Sequence, residues 1–212
     1  MNLSYHTQIY GVTQSGKSLI GLKLLSEQTG LKLFIDTKNE TKYHKHFHMF
    51  ADIDTIKVLL ENEKELNGKM VCVRIEPKDF EKQLEKFSEI VFVYKRANPI
   101  HRITILIDEF QEYVSRATKG FIRALFVQGL SKNIRVIFTS QGWSMIPKNI
   151  RNNCEMALIG KQRKNDIEGM LDQGLIPYTY NDKGWRVHNL DFSKPYTFYG
   201  EYGIGKGMKR VQ

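Results

Sequence analysis

Short apolar runs alternate along the chain with longer amphipathic stretches. Gln8-Ile9-Tyr10 is the first run. Residues 17–28 then carry Leu19, Leu22, Leu24 and Leu25 at helical spacing. Leu31–Ile35 predicts a strand that stops at Asp36-Thr37-Lys38-Asn39. Ile53–Leu60 predicts a short helix and Met70–Ile75 a strand. Pro77 suits the first turn of a helix that runs to about Arg96, with Phe80, Leu84, Phe87 and Val91 in register. Ile103–Ile107 reads as a buried strand, Thr118–Leu130 as a helix with Ile122, Leu125 and Phe126 inward, and Ile134–Phe138 as another buried strand. Asn165–Gln173 predicts a short helix. The aromatic stretch Trp185–Tyr202 predicts strands or an ordered arm.

Strands that are apolar on both sides, separated by helices, predict an α/β fold: a mainly parallel sheet with helices on both faces. The length of 212 residues allows one domain with a small appendage. No repeat or linker divides the chain, so the expected core is residues 1–175, with an aromatic and basic extension over 176–212. No apolar run approaches the roughly 20 residues that cross a bilayer. The first residues lack the charged and apolar regions of a secretory leader, so none is expected. Cys72 and Cys154 are far apart and make neither a disulfide framework nor a CxxC pair, which fits a reducing compartment. The formal charge of +9 makes polyanions natural partners, nucleic acid foremost.

Gly11-Val12-Thr13-Gln14-Ser15-Gly16-Lys17-Ser18 fits G-x-x-x-x-G-K-[ST] at every fixed position, between a strand and a helix. The chemistry accounts for the spacing. Backbone N–H groups must wrap a phosphate, so Gly11 and Gly16 supply conformations that a Cβ resists. The helix that starts here turns its positive end to the anion. Lys17 reaches the β- and γ-phosphates, and the Ser18 hydroxyl is a ligand for Mg²⁺. The motif therefore predicts ATP and Mg²⁺.

Ile103–Ile107 delivers Asp108-Glu109 at its carboxyl end, where α/β sheets bind ligands. Asp108 is expected to hold the metal opposite Ser18, and Glu109 to activate water as a general base. Glu112 and Glu40 are alternative acids for that role. A nucleotide kinase must exclude water and needs no such base, whereas a hydrolytic motor needs one. The separation of Lys17 from Asp108 leaves room for an intervening strand. Ile134–Phe138 runs into Thr139-Ser140-Gln141. Gln141 is either a sensor of the γ-phosphate, able to donate to phosphate and accept from water, or a turn residue before Gly142.

The series GVTQSGKS, FIDTKNE, ILIDEF and VIFTSQ resembles the FtsK/HerA superfamily of DNA-pumping ATPases. It is most similar to the small genome-packaging ATPases of membrane-containing icosahedral viruses. Asp36-Thr37-Lys38-Asn39-Glu40 is similar to the family's D-P-K-x-x-E, with Thr37 in place of Pro and a shorter reach to Glu40. Ser140 stands where Thr is common. Residues 146–153 resemble the segment leading into the last core strand, Met156–Ile159. The resemblance covers about residues 5–172. It implies a RecA-like core, a homo-oligomeric ring (hexameric or pentameric) and translocation of double-stranded DNA driven by ATP hydrolysis. It also implies capsid vertex or portal proteins as partners, and a location in the host cytoplasm or at the packaging vertex.

A ring ATPase of this kind often takes an arginine from the neighbouring subunit, which contributes roughly 10³–10⁵ in rate. Arg116, Arg123, Arg135 and Arg151 are available, and Arg151 and Arg123 are the preferred candidates. His44, His46 and His48 would share a face if their segment were a strand, but no fourth metal ligand is evident, and a solvated loop is the simpler reading. Lys161-Gln162-Arg163-Lys164 and Lys206-Gly207-Met208-Lys209-Arg210 are basic clusters that could meet DNA phosphates or remain solvated. A nucleotide kinase and a non-translocating virus or phage assembly NTPase remain as alternatives to a packaging motor.

Overall fold

The computed structural model describes residues 4–36, 41–75, 78–115, 118–176, 178–183, 186–188, 198–202 and 209–211. Seven strands run parallel: β1 (Thr7–Tyr10), β2 (Leu31–Asp36), β3 (Met49–Ala51), β4 (Met70–Arg74), β5 (Ile103–Ile107), β6 (Ile134–Ser140) and β7 (Met156–Ile159). Their spatial order is β7-β1-β6-β5-β2-β4-β3. The expected intervening strand is therefore β6, which lies between the strand entering the phosphate loop and the strand ending in Asp108.

β8 (Tyr178–Tyr180) and β9 (Arg186–His188) form a separate antiparallel pair. β10 (Phe198–Tyr202) adds to the main sheet antiparallel to β7, and β11 (Lys209–Val211) pairs with β10. Trp185 and the glycine-flanked Lys206 lie outside the described residues.

Both sheet faces are apolar because the strands alternate two sets of buried side chains. On one face, Leu33, Val71, Ile105, Val136 and Phe138 meet the helices α2 (Ile56–Glu61), α3 (Phe80–Ala97) and α4 (Gly120–Gln128). The short α5 (Lys148–Arg151) and α6 (Lys164–Asp172) complete that layer through Ile150, Ile167 and Met170. On the other face, Ile9, Phe34, Cys72, Leu106 and Ile137 meet α1 (Lys17–Ser26) through Leu22, Leu24 and Leu25.

Two local expectations are corrected, the burial of Leu19 and the start of α4. Leu19 is 55% exposed, because it falls on the opposite side of α1 from the buried Lys17, Gly21 and Leu25. The set-aside strand reading of the histidine segment is absent, because Thr41–His46 form a 3₁₀ helix. His48 instead accepts a hydrogen bond at Nδ1 from the Met70 N–H, 3.1 Å away. Finally, α4 begins at Gly120 rather than Thr118. The Thr118 hydroxyl is used in a turn, accepting from the Ser115 N–H at 2.8 Å and donating to the Ser115 carbonyl at 2.9 Å.

Candidate active site

The strand order brings the carboxyl ends of β1, β6, β5 and β2 side by side. Neighbouring strands are about 4.8 Å apart, so the β1 and β5 tips are separated by roughly 10 Å. The loop after β1 is tethered to both flanking strands. Its Gly11 N–H donates to the Ser140 carbonyl at 3.2 Å, and its Val12 N–H donates to the Lys161 carbonyl at 2.8 Å.

Of the two loop glycines only Gly16 takes a left-handed backbone; Gly11 does not, which corrects the expectation that both adopt conformations a Cβ resists. Gly16 has φ 90°, in the left-handed region, where it caps α1. A Cβ on Gly11 would lie 2.3 Å from Ser15 Oγ, inside the cradle. That Ser15 hydroxyl is buried and makes no hydrogen bond. An orphaned hydroxyl, a concavity that a methyl would fill and the first-turn N–H groups of α1 together fit an anion. Lys17 folds back along the loop, its Nζ donating to the Val12 carbonyl at 3.2 Å. Thr13 and Gln14 form the exposed crest, with Gln14 also at positive φ, 64°.

The acidic pair faces this loop. Ser18 Oγ donates to Asp108, 2.9 Å from Oδ1 and 3.0 Å from Oδ2. A hydroxyl and a carboxylate at this distance are hard oxygen donors of the kind Mg²⁺ takes. Glu109 Oε1 lies 3.9 Å from Lys17 Nζ. Lys17, Asp108 and Glu109 are only 4%, 2% and 3% exposed, so each charge needs a partner of the other kind close by.

Glu109 has φ 49°, a left-handed conformation that costs a residue with a side chain about 1–3 kcal/mol. The fold holds it through Thr139. The Glu109 N–H donates to Thr139 Oγ1 at 2.9 Å, while that hydroxyl donates to Asp108 Oδ1 at 2.6 Å.

Gln141 follows β6 directly, at the same edge. Its N–H donates to Gln111 Oε1 at 3.3 Å, and Gln111 Nε2 donates to Glu109 Oε2 at 2.5 Å. The next residues are clamped by Asp166, whose Oδ1 accepts from the Ser144 N–H at 2.9 Å and the Ser144 hydroxyl at 2.8 Å. Thr139 and Gln111 are site residues to which sequence spacing assigns no role. A threonine in a buried strand and a glutamine in a turn have no pattern of their own. Both act through the register between β5 and β6.

The structure thus gathers Gly11, Val12, Thr13, Gln14, Ser15, Gly16, Lys17, Ser18, Asp108, Glu109 and Gln141 at one sheet edge. Asp36 is buried at the adjoining β2 tip, where the Asp108 N–H donates to the Ile35 carbonyl at 3.3 Å. Glu112 is exposed, whereas Glu109 is buried beside Lys17. Glu40 and Arg116 lie outside the described residues.

The arginines separate clearly. Arg123 is exposed on α4. Arg135 is spent on its own fold, its Nη1 donating to the Leu130 and Ile134 carbonyls, both at 3.1 Å. Arg151 stacks its guanidinium 3.5 Å from the centre of the Trp143 ring. Burial lowers its pKa, against the opposing pull of Tyr10 and Asp166. Its side chain is half-buried in this stack, next to the loop that follows β6.

No protein-family model matches the chain, and neither does any curated protein. Solved structures do match. The genome-packaging NTPase B204 of Sulfolobus turreted icosahedral virus 2, in complex with ATP-gammaS, superposes with a TM-score of 0.69 at 13% identity, covering 99% of this chain and 97% of that one. B204 of Sulfolobus turreted icosahedral virus, described as a DNA-packaging ATPase, gives 0.70 at 14% identity over 100% and 98%. The fold is that of the RecA-like P-loop NTPases. EssC from Geobacillus thermodenitrificans, ATPases 2 and 3, shares it more distantly, with a TM-score of 0.54 at 14% identity over 93% of this chain and 37% of that one. The coverage of B204 from end to end includes the strands after β7. Among the described residues no helix is long and apolar enough to cross a membrane.

Proposed function

We propose that this chain is the packaging ATPase of a virus, hydrolysing ATP to drive double-stranded DNA into a preformed capsid. The observation that carries the reading is the meeting of Ser18 with Asp108 and of Lys17 with Glu109 across the sheet edge. The end-to-end likeness in fold to B204 supports the packaging part.

In this reading the loop amides and Lys17 hold the β- and γ-phosphates and stabilise the charge that builds on them. Ser18 and Asp108 would hold Mg²⁺, which when bound withdraws charge from the phosphate oxygens. Glu109 orients a water and takes its proton as the water oxygen bonds to the γ-phosphorus. The bond from that phosphorus to the bridging oxygen breaks, leaving ADP and phosphate. Gln141 senses whether the γ-phosphate is present. The ring of six or five copies supplies the remaining arginine in trans, with Arg151 and Arg123 the candidates. Residues 1–175 form the motor core and 176–212 its extension. The exposed Lys161, Arg163 and Lys164 follow directly on the strand beside the loop, where they can meet DNA phosphates. Capsid vertex or portal proteins are the proposed docking partners, at the packaging vertex or in the host cytoplasm.

The test is phosphate release in the absence of any acceptor, with and without duplex DNA, alongside the native mass of the assembly. The reading expects release to water, faster with duplex, from a closed oligomer. DNA affinity should fall with salt by about 0.9 log units per phosphate contacted for each log unit of salt. Phosphate transfer only to a nucleotide acceptor would establish a kinase instead. A salt-independent affinity would exclude direct contact with the DNA backbone.

A further inference from the structure

We propose that Gln111 is a positioning residue, tying the carboxylate of Glu109 to the sensing loop at Gln141. The inference rests on the hydrolytic reading of the site. Gln111 sits in a 3₁₀ turn, Phe110–Glu112, immediately after the acidic pair. Its Nε2 donates to Glu109 Oε2 at 2.5 Å, and its Oε1 accepts from the Gln141 N–H at 3.3 Å. One side chain therefore spans the tips of β5 and β6.

An amide meets the chemistry on both sides. The Glu109 carboxylate can only accept, and the Gln141 N–H can only donate, so one donor and one acceptor without charge serve both. These two bonds also fix which way the amide faces. On its other oxygen, Glu109 approaches Lys17 at 3.9 Å. The carboxylate is thus held from two sides, by a cation on the phosphate loop and by an amide on the sensing side. An arriving γ-phosphate competes for Lys17. The contact with Gln111 is the one that Glu109 can retain, and it carries any shift of the Gln141 backbone to the carboxylate that faces the water.

Two substitutions test this. Gln111→Met keeps the length and volume but removes both bonds. Gln111→Glu keeps the acceptor for Gln141 and sets a second carboxylate against Glu109. Both are expected to lower kcat about 10–100-fold, the range seen when a hydrogen-bonded support of a reactive group is removed. KM, and the affinity for a non-hydrolysable ATP analogue, should stay within about twofold. In the nucleotide-free protein, the Gln141 amide should exchange with solvent faster in Gln111→Met and not in Gln111→Glu.

An unchanged kcat, a loss carried entirely by KM, or unaltered exchange at Gln141 in Gln111→Met would overturn the proposal. Should Gln111→Met fail to fold, Gln111→Glu still decides between kcat and KM. The two levels of the reading separate cleanly. Full turnover in Glu109→Gln defeats the general-base role itself. An inactive Glu109→Gln beside a fully active Gln111→Met defeats only the positioning role.

Discussion

Thr139 is fully buried at the end of β6, and its one hydroxyl serves both acids. It accepts from the strained Glu109 backbone and donates to the Asp108 side chain. Thr139→Val preserves the shape and removes the hydroxyl, leaving a buried N–H without its acceptor. Stability in denaturant titration should fall by about 1–3 kcal/mol, with a matching loss in phosphate release. A Thr139→Val protein as stable and as active as wild type would mean that the hydroxyl does not hold the tip. At this scale the sequence is legible where backbone geometry is written into spacing. Gly11, Gly16, Lys17 and Ser18 are fixed by their mutual separation, because a phosphate cradle admits few arrangements. Thr139 and Gln111 act across strands distant in sequence. The register that joins them, Ile107 opposite Phe138, exists only after folding.

Among the elements, α4 shows a start signal that comes from another helix. Its first N–H groups, from Phe121 and Ile122, donate to the Glu85 carboxylate of α3 at 2.6 and 2.9 Å. A carboxylate there satisfies two orphan donors and complements the positive end of the helix. Glu85→Ala should cost about 0.5–2 kcal/mol, read as a lower melting temperature, while affinity for an ATP analogue is retained. No loss of stability would assign the cap to solvent. Sequence reasoning sought the start of this helix in Thr118 because a local cap is the commoner device. It found the long amphipathic α3 and the apolar strands β2, β4, β5 and β6 because their periodicity is strong. It missed β3, three residues lacking β-branched side chains, whose existence depends on pairing with β4. It placed Leu19 inward with Leu22, Leu24 and Leu25, but four leucines in seven residues cannot all share one face of a helix, and spacing alone does not say which is left out.

For the molecule as a whole, the order of the strands does the functional assembly. Placing β6 between β1 and β5 sets the tip that carries Gln141 between the glycine-rich loop and the paired acids, and β2 adds the buried Asp36 beyond them. Parallel strands put all four tips at one edge, so residues far apart in sequence, such as Ser18 and Asp108, meet there. The alternation of apolar runs and helices forecasts that architecture, and the strands or ordered arm expected over Trp185–Tyr202 correspond to β9 and β10, but the antiparallel pairing of β10 with β7 is not forecast. Both strands lie in a segment whose aromatic and basic composition carries no clear period. A net charge of +9 suits a protein that handles a polyanion, and the acids concentrated at the cleft are the local exception.

The most direct measurement compares wild type with Glu109→Gln for binding of a non-hydrolysable ATP analogue and for phosphate release. The account predicts analogue affinity within about twofold of wild type and release lowered by at least about 100-fold. Glu109→Gln that releases phosphate at the wild-type rate would contradict it, because the carboxylate facing Lys17 would then have no part in splitting the triphosphate.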